Sequence, residues 1–470
     1  MPRALNTDVL RYMTIFLDNR DIFCLSITHR AAYEALLPLT WSNLAFTECY
    51  QSLRCCRSLM EHKDHRIRFI RRIFISYSCI VASDTQSPRT LMYYLCELLR
   101  LAVNLHTVTV RHLKTIGFNQ PARKTLEALA CLRQLSTMSL SVLSRTTYHV
   151  LSRFQTNCLR SIELELDPNL TDITDFLRPF QDTLEEISLS AWPTRYVTHF
   201  APICFYLVIN NDDVWPHVHT LGLRGISVLS PSTLVHAFPQ VQSLCVYNER
   251  RDSVTGRRPC AWPSLTSVEA GTLGALDELV DWERTGHIDR LDLSASSVHN
   301  RERMEKMPWG SAMEIPHLER VLGWTSPRSF SIALAAPMPS SFFDTLKIAA
   351  PQLGHLGIYY CERQHSASES SEHFGDKELG DLLPLGMEEL PITSLRLHLH
   401  VGDRLQTRIK NIILQRLLPK LPRVEYVHYI SQSDEEDTAW RVIRSAEGSV
   451  QLADVPDDQQ YVLKRRGGFS

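Results

Sequence analysis

The sequence predicts an α/β chain: a small N-terminal helical module followed by an irregular solenoid with a concave parallel sheet and convex helices. Three observations predict it. A six-residue apolar phrase recurs along residues 70–429, segments of helical periodicity fill the spaces between its copies, and the first 46 residues follow neither pattern.

Length and composition frame this reading. One hydrophobic core stops growing near roughly 250–300 residues, so 470 residues require several domains or an array of stacked units. With 44% hydrophobic and 22% charged residues, the chain has the composition of a globular protein, which excludes global disorder. A net charge of −2 and two short basic runs, Arg257-Arg258 and Lys464-Arg465-Arg466, argue against nucleic-acid or membrane-surface partners. The opening "MPRALNTDVLRYMTIFL" mixes polar and apolar residues at helical spacing and lacks a secretory h-region. No stretch approaches the roughly eighteen apolar residues of a membrane span. The cytosol or nucleus is the expected location. Twelve cysteines at irregular spacing, with no C-x-x-C pair, read as small core residues of a reducing compartment.

The first element is the N-terminal module, residues 1–46. "LNTDVLRYMTIFL" (5–17) places Leu5, Val9, Leu10, Met13 and Leu17 on one helical stripe. "DNRDIFCLSITHRAAYEALL" (18–37) adds a turn at Asp18-Asn19, a short helix from Asp21 and a further helix. From the residues alone, such a module could cap the open end of a solenoid.

The repeated phrase is apolar, two of any residue, apolar, one of any residue, apolar. It begins at Ile70, Leu105, Leu135, Leu159, Leu184, Val218, Val241, Leu265, Ile288, Leu318, Leu353, Ile392 and Val424, at intervals of 23 to 39 residues. Between copies run segments of helical period, including "TLMYYLCELLRLAV" (90–103), "TLEALACL" (125–132), "DITDFLRPF" (172–180), "ALDELVDW" (275–282) and "RIKNIILQRLLPKL" (408–421). Proline precedes the phrase in "FPQVQSL", "WPSLTSV", "IPHLERV", "APQLGHL" and "LPRVEYV", where it stops a helix and sets an extended turn. Each unit over residues 47–430 is therefore predicted to be a helix followed by a strand. The period-2 placement of the last two apolar positions turns them into a continuous spine. A mixed α/β enzyme with a parallel sheet is the structural rival.

At these residues the sequence resembles the leucine-rich-repeat family, with its unit L-x-x-L-x-L-x-x-N/C-x-L. Only Cys361 matches the family's Asn/Cys position, so the resemblance implies an irregular array without the side-chain ladder of that family. The N-terminal module resembles the F-box family, whose phrases are roughly L-P-x-E-I-L-x-x-I-x-x-x-L and D-L-x-x-L-x-x-V-C-R. Here they read Leu5, Asn6, Asp8, Val9, Leu10, Met13 and Leu17, then Asp21-Ile22, Leu25, Ile27, His29-Arg30 and Tyr33. The resemblance implies docking into helices of a Skp1-type adaptor, which links through a cullin to ubiquitin transfer. Leu5, Val9, Leu10, Leu17, Ile22 and Leu25 are the expected adaptor-binding residues.

No nucleophile elbow, phosphate-binding glycine loop or metal-ligand spacing occurs in the sequence. No metal, cofactor or intrinsic catalytic site is expected. If the solenoid binds a protein, the residues two, four and six after the first apolar position face the partner. Early strands supply Thr107, Thr109, Ser139, Glu163, Glu165, Glu186 and Ser188 there. Later ones supply Arg320, Trp324, Tyr359, Arg396, His398, Tyr426 and His428. Arginine and aromatic residues concentrate binding energy at interfaces, so the later group is the expected substrate face. The polar insertion 361–381 and the partly acidic segment 431–470 read as loop and tail. The combined expectation is the substrate-recognition subunit of an SCF-type ubiquitin ligase that binds an unknown target protein. The alternative is a scaffold outside ubiquitin transfer.

Overall fold

The computed structural model describes residues 7–14, 17, 19–76, 86–111, 120–143, 149–150, 153–154, 156–167, 173–191, 205–210, 212–228, 230–247, 258–271, 273–294, 315–334, 340–360, 387–399, 410–411, 413–431, 437–445 and 449–456. It forms two compact units, Met1–Leu229 with His236–Phe238, and Ser230–Val235 with Pro239–Ser470. Leu5 and the insertion 361–381 lie outside the described residues.

The first unit opens with helices Thr7–Met13, Asn19–Ser26 and Arg30–Thr40. Ser26 Oγ donates to Phe23 O at 2.7 Å and Thr28 Oγ1 to Leu25 O at 2.7 Å. These side-chain bonds offer the backbone an alternative to continued helix. His29 then adopts an extended conformation, and its Nδ1 accepts from the Ala31 N–H at 3.1 Å, capping the third helix. Leu10, Ala32, Ala35 and Leu36 form the module's core, with Leu25 packed against it.

Seven strands of this unit run parallel in chain order: β1 (Asn43–Phe46), β2 (Arg72–Ser76), β3 (Thr107–Arg111), β4 (Thr137–Leu143), β5 (Ser161–Leu166), β6 (Glu186–Ala191) and β8 (Thr220–Arg224). A separate pair joins β7 (Phe205–Leu207) to β9 (Ile226–Val228). Helices Cys49–Glu61, Gln86–Leu101 and Gln120–Ala130 supply three of the crossovers. β1 corrects the boundary at residue 46. Trp41, Leu44 and Phe46 repeat the apolar phrase with tryptophan in first place, and Asn43–Phe46 pairs with Arg72–Ile75 of β2. The sheet therefore begins inside the segment assigned to the module.

A backbone ladder stands where the family that the repeats resemble would place its side-chain ladder. In most of the described repeats the carbonyl just after the first apolar position accepts two N–H groups from the next repeat. Ser42 O takes Arg71 and Arg72 N–H at 2.9 Å each, Arg71 O takes His106 and Thr107, and the pattern continues through His106, Ser136, Arg160 and Glu185. These carbonyls satisfy the turn N–H groups that a sheltered strand entry would otherwise strand.

In the same unit, Asp213 is buried and takes Arg178 Nε at 2.9 Å and Nη2 at 3.2 Å. The Arg178 bonds hold its carboxyl below the ordinary carboxylate range, against the opposing effect of burial. A lowered carboxyl contributes stability above its unfolded range, about 3.9, that is lost as pH falls through the folded value. Urea denaturation of wild type between about pH 6 and about pH 3 is therefore expected to show a steeper loss than Asp213→Asn.

The second unit repeats the plan with β10 (Ser243–Tyr247), β11 (Ser267–Ala270), β12 (Arg290–Leu293), β13 (Ser329–Leu334), β14 (His355–Tyr360), β15 (Ser394–Leu399) and β16 (Tyr426–Ser431), all parallel. The carbonyl ladder recurs on Gln242, Asp289, Arg328, Gly354 and Thr393, and Thr266 O takes a single N–H, from Arg290. Leu291 and Leu293 are fully buried on β12, as the apolar spine requires.

Several expectations change in this unit. The phrase at Leu318 is not a strand: Ile315–Thr325 is a helix, and Pro316 stands in its first turn, where a missing N–H removes no helical bond. The strand of that repeat is β13, with buried Pro327 in the first apolar position and Phe330 and Ile332 following. Among the described residues of 408–421, Ile413–Leu417 form a wide turn and Leu418–Lys420 a tight one, not a continuous α-helix. Pro419 cannot donate to a helical carbonyl and its ring crowds the preceding turn. Finally, the segment 431–470 is not only a polar tail. β17 (Asp437–Arg444) pairs antiparallel with β16, and β18 (Val450–Asp454) antiparallel with β17. Arg444 fastens this hairpin by donating to Val424 O at 2.6 Å and Leu421 O at 2.7 Å. Removing those two charge-assisted bonds by Arg444→Ala is expected to cost about 2–3 kcal/mol, seen as faster hydrogen exchange confined to β17 and β18.

Candidate functional site: the strand faces and the N-terminal helices

Strand alternation places the residues two, four and six after each first apolar position on one face, away from the apolar spine. Register confirms the rows. Phe74, Thr109, Ser139, Glu163, Ser188 and Gly222 are successive partners across the first unit. Glu269, Asp292, Ser331, Gly357, Arg396 and His428 are successive partners across the second.

The two faces differ in exposure. In the first unit Arg72, Arg111, Glu163, Glu186 and Arg224 are exposed and the intervening hydroxyl residues are half-buried. Two glutamates are held across strands: Ser139 Oγ donates to Glu163 Oε2 at 2.7 Å and Ser161 Oγ to Glu186 Oε2 at 2.9 Å.

In the second unit the same rows are more sheltered, with no described residue exposed. Asp292 and Tyr359 are each 4% exposed and His428 is 6% exposed. Sheltered polar groups must find partners within the protein, and here they form a network. Asp292 Oδ1 accepts from the Ser294 N–H at 3.0 Å and from Ser294 Oγ at 2.5 Å, while Arg290 Nη2 donates to Oδ2 at 3.3 Å. The Tyr359 hydroxyl shares a hydrogen bond with Ser294, and burial raises its pKa against the pull of Arg396. The Arg396 guanidinium lies 5.7 Å from the centre of the Tyr359 ring, and the His398 ring lies 5.2 Å from it. On β10, Tyr247 donates to Glu269, and burial raises the phenol's pKa.

Ser331 and Gly357 keep the floor of this network low. A Cβ on Gly357 would stand 2.5 Å from Ser331 Oγ and 3.0 Å from Ser331 Cβ. Gly357→Ala is accordingly expected to cost about 1–3 kcal/mol by overpacking. Adding Ser331→Gly should recover most of the loss in thermal denaturation, because both clashing atoms are then gone.

The expected substrate residues are therefore redistributed. Arg320 and Trp324 belong to the exposed surface of helix Ile315–Thr325, not to a strand face, because the phrase at Leu318 is helical. Tyr359 and His428 are on the predicted face but buried; Arg396, His398 and Tyr426 are on it and half-buried. The phrase at Ile288 gives Asp292 and Ser294 the same phase as Tyr359, so the sequence marks their face but not their burial; Ser331 follows Pro327, which the apolar phrase does not mark, and is missed.

The N-terminal module carries a second candidate surface. Leu10 is 4% and Ile22 8% exposed, so both hold the module together, and Leu25 packs on the same core. They are corrected from docking residues to core residues. Leu17 is half-buried, and Val9 is 48% exposed. The open apolar surface is instead Val9, Tyr12, Met13, Phe23, Ile27 and Leu39. Six of the fourteen large exposed apolar residues among the described residues thus fall within the first 39 positions, a concentration that marks a partner site more than scattered exposure does.

Comparison with protein-family models and with curated proteins gives no match. Among solved structures, the chain is similar to the leucine-rich repeat-containing protein LegL7 from Legionella pneumophila, with 10% sequence identity and a TM-score of 0.32, over 91% of this chain and 98% of that chain. The fold described above rests on the strand register of the protein itself. No helix among the described residues is long and apolar enough to cross a membrane.

Proposed function

We propose that the protein is a repeat-based interaction protein of the cytosol or nucleus that acts as the substrate-recognition subunit of an SCF-type ubiquitin ligase. The observation that carries the reading is the concentration of exposed apolar side chains on and beside the three N-terminal helices, with Val9 and Met13 one helical turn apart and Ile27, just past the second helix, donating its N–H to Phe23 O. The resemblance of these helices to the F-box family supplies the partner: helices of a Skp1-type adaptor, and through it a cullin. The repeats would hold a target protein near ubiquitin transfer. The chain contributes proximity and no chemistry of its own.

A scaffold whose helices only cap the sheet is the second reading, favoured by the entry of β1 at Asn43, three residues after the third helix ends at Thr40. Co-purification of the full chain with a Skp1-type adaptor separates the two. Stable capture supports the receptor; a folded chain that captures no adaptor supports the cap.

A further inference from the structure

The rim of the first unit where the strands begin carries a one-sided charge. Residues 67–72, 102–107, 131–137 and 156–161, which lead into β2, β3, β4 and β5, contain five arginines and one histidine and no Asp or Glu. Arg68, Arg71, Arg72, His106, Arg133 and Arg160 are all exposed. Among the described residues one ion pair engages them, Arg160 Nη1 with Glu185 Oε1 at 2.6 Å. The segment ahead of the rim adds no net charge, since Glu61 and Asp64 there balance Lys63 and Arg66.

The backbone sets these side chains in rows. Arg71 O accepts from the His106 N–H, His106 O from the Ser136 N–H and Ser136 O from the Arg160 N–H, at 2.9, 2.9 and 2.8 Å, so the four residues are consecutive rungs. Three strand spacings, about 14 Å, separate the first from the last. Arg68, Val103 and Arg133 share another place in the repeat, two residues before the first apolar position, and Val103 is 65% exposed. Two guanidiniums are braced: Arg71 Nη1 donates to Asn104 O at 3.1 Å, and Arg68 lies 4.7 Å from the centre of the Phe69 ring. Bracing reduces the side-chain freedom that binding would cost. At β6 the rim changes sign, because residues 181–186 supply Asp182, Glu185 and Glu186 and no cation.

We propose that this rim is where the repeats grip a target protein, and that the target presents an extended acidic segment with an apolar side chain to meet Val103. The proposal rests on the reading that the repeats hold a target and is independent of the adaptor. An extended chain advances about 3.3 Å per residue, so four or five residues cross from β2 to β5. Carboxylates on that segment match the planar forks of the arginines, which can bind them through two N–H groups at once. A nucleic acid fits less well: its uniform negative charge runs on into Asp182 and Glu186, and it offers Val103 no aliphatic side chain. A peptide can end its acidic run at β5.

Fluorescence anisotropy of the full chain with a labelled peptide of alternating Glu and Asp around a central Leu, compared with its Gln/Asn counterpart, tests this. The acidic peptide is expected to bind at least about tenfold more tightly than the amide one, and to weaken as salt rises and screens the exposed charges. Arg72→Glu with Arg133→Glu should weaken it at least about tenfold, because like charges facing each other across an interface repel. Arg54→Glu with Arg123→Glu makes the same charge change on exposed helix positions and should leave binding nearly unchanged. Equal affinity for the two peptides, an affinity indifferent to salt or to the rim reversal, or tighter binding of a single-stranded oligonucleotide or of phosphatidylserine vesicles would overturn the proposal. If the reversed chain is unfolded, Arg72→Gln with Arg133→Gln decides: an undiminished affinity overturns the proposal. The peptide assay contains no adaptor, and the rim variants should bind a Skp1-type adaptor as wild type does, so failure at the rim is read apart from failure at the N-terminal helices.

Discussion

Asp292→Ala is expected to destabilise the second unit by about 3–5 kcal/mol, the range for breaking a sheltered ion pair by removing one partner. The carboxylate takes both the N–H and the hydroxyl of fully buried Ser294 and faces Arg290. Alanine withdraws all three contacts and leaves a buried N–H to be satisfied elsewhere. Asn keeps an oxygen for Ser294 and loses the charge, so Asp292→Asn should fall between wild type and alanine. Because the chain has two units, a single global transition is not assured. Hydrogen exchange of β12–β14 peptides reads the effect where it arises; the account fails here if those peptides stay as protected in Asp292→Ala as in wild type.

The second large effect is expected at the N-terminal helices. Phe23 is 51% and Ile27 65% exposed, so Phe23→Asp with Ile27→Asp adds charge without creating a core cavity. Buried interface anchors are worth about 2 kcal/mol or more each, and two of them correspond to about a thousandfold weaker adaptor binding. Thermal denaturation should be nearly unchanged, since surface substitutions of this kind stay within about ±0.5 kcal/mol. Leu10→Asp makes the contrast: it places a charge in the module's core and should lose adaptor binding together with the fold of the helices. A double variant that binds as wild type does would show that the exposed apolar surface is not the docking site.

These contrasts also show what the sequence can and cannot reveal. Twelve of the thirteen copies of the apolar phrase begin two residues before a strand of the parallel sheet, because period-2 burial leaves a direct mark on the residue pattern. The exception, at Leu318, is a helix: Leu318, Val321 and Leu322 are buried at helical spacing while Gly323, in the third place of the phrase, is exposed, and Pro316 is compatible with a helix start. β1 and β13 escaped because Trp41 and Pro327 stand where an aliphatic residue was sought. The hairpin Asp437–Asp454 escaped because antiparallel strands at the end of a sheet carry polar residues outside the repeat's phase. Row phase puts Tyr359, Arg396, His398 and His428 on the strand face away from the apolar spine, as the register does, but phase gives direction and not shelter. Asp292 has the same phase as exposed Glu163. Only the three-dimensional packing separates them. Likewise Leu10 and Val9 are neighbours on one helix, and which of them meets Leu36 depends on where the third helix crosses.

The central claim is that the N-terminal helices bind a Skp1-type adaptor while the repeats remain available for a target protein. Calorimetric titration of the purified full-length chain with a purified Skp1-type adaptor tests it most directly. The account predicts one-to-one binding with a Kd of about 1 μM or tighter, about −8 kcal/mol, that is lost in the Phe23→Asp, Ile27→Asp chain. No heat and no complex at about 100 μM of each protein, with the helices shown to be folded, would contradict it.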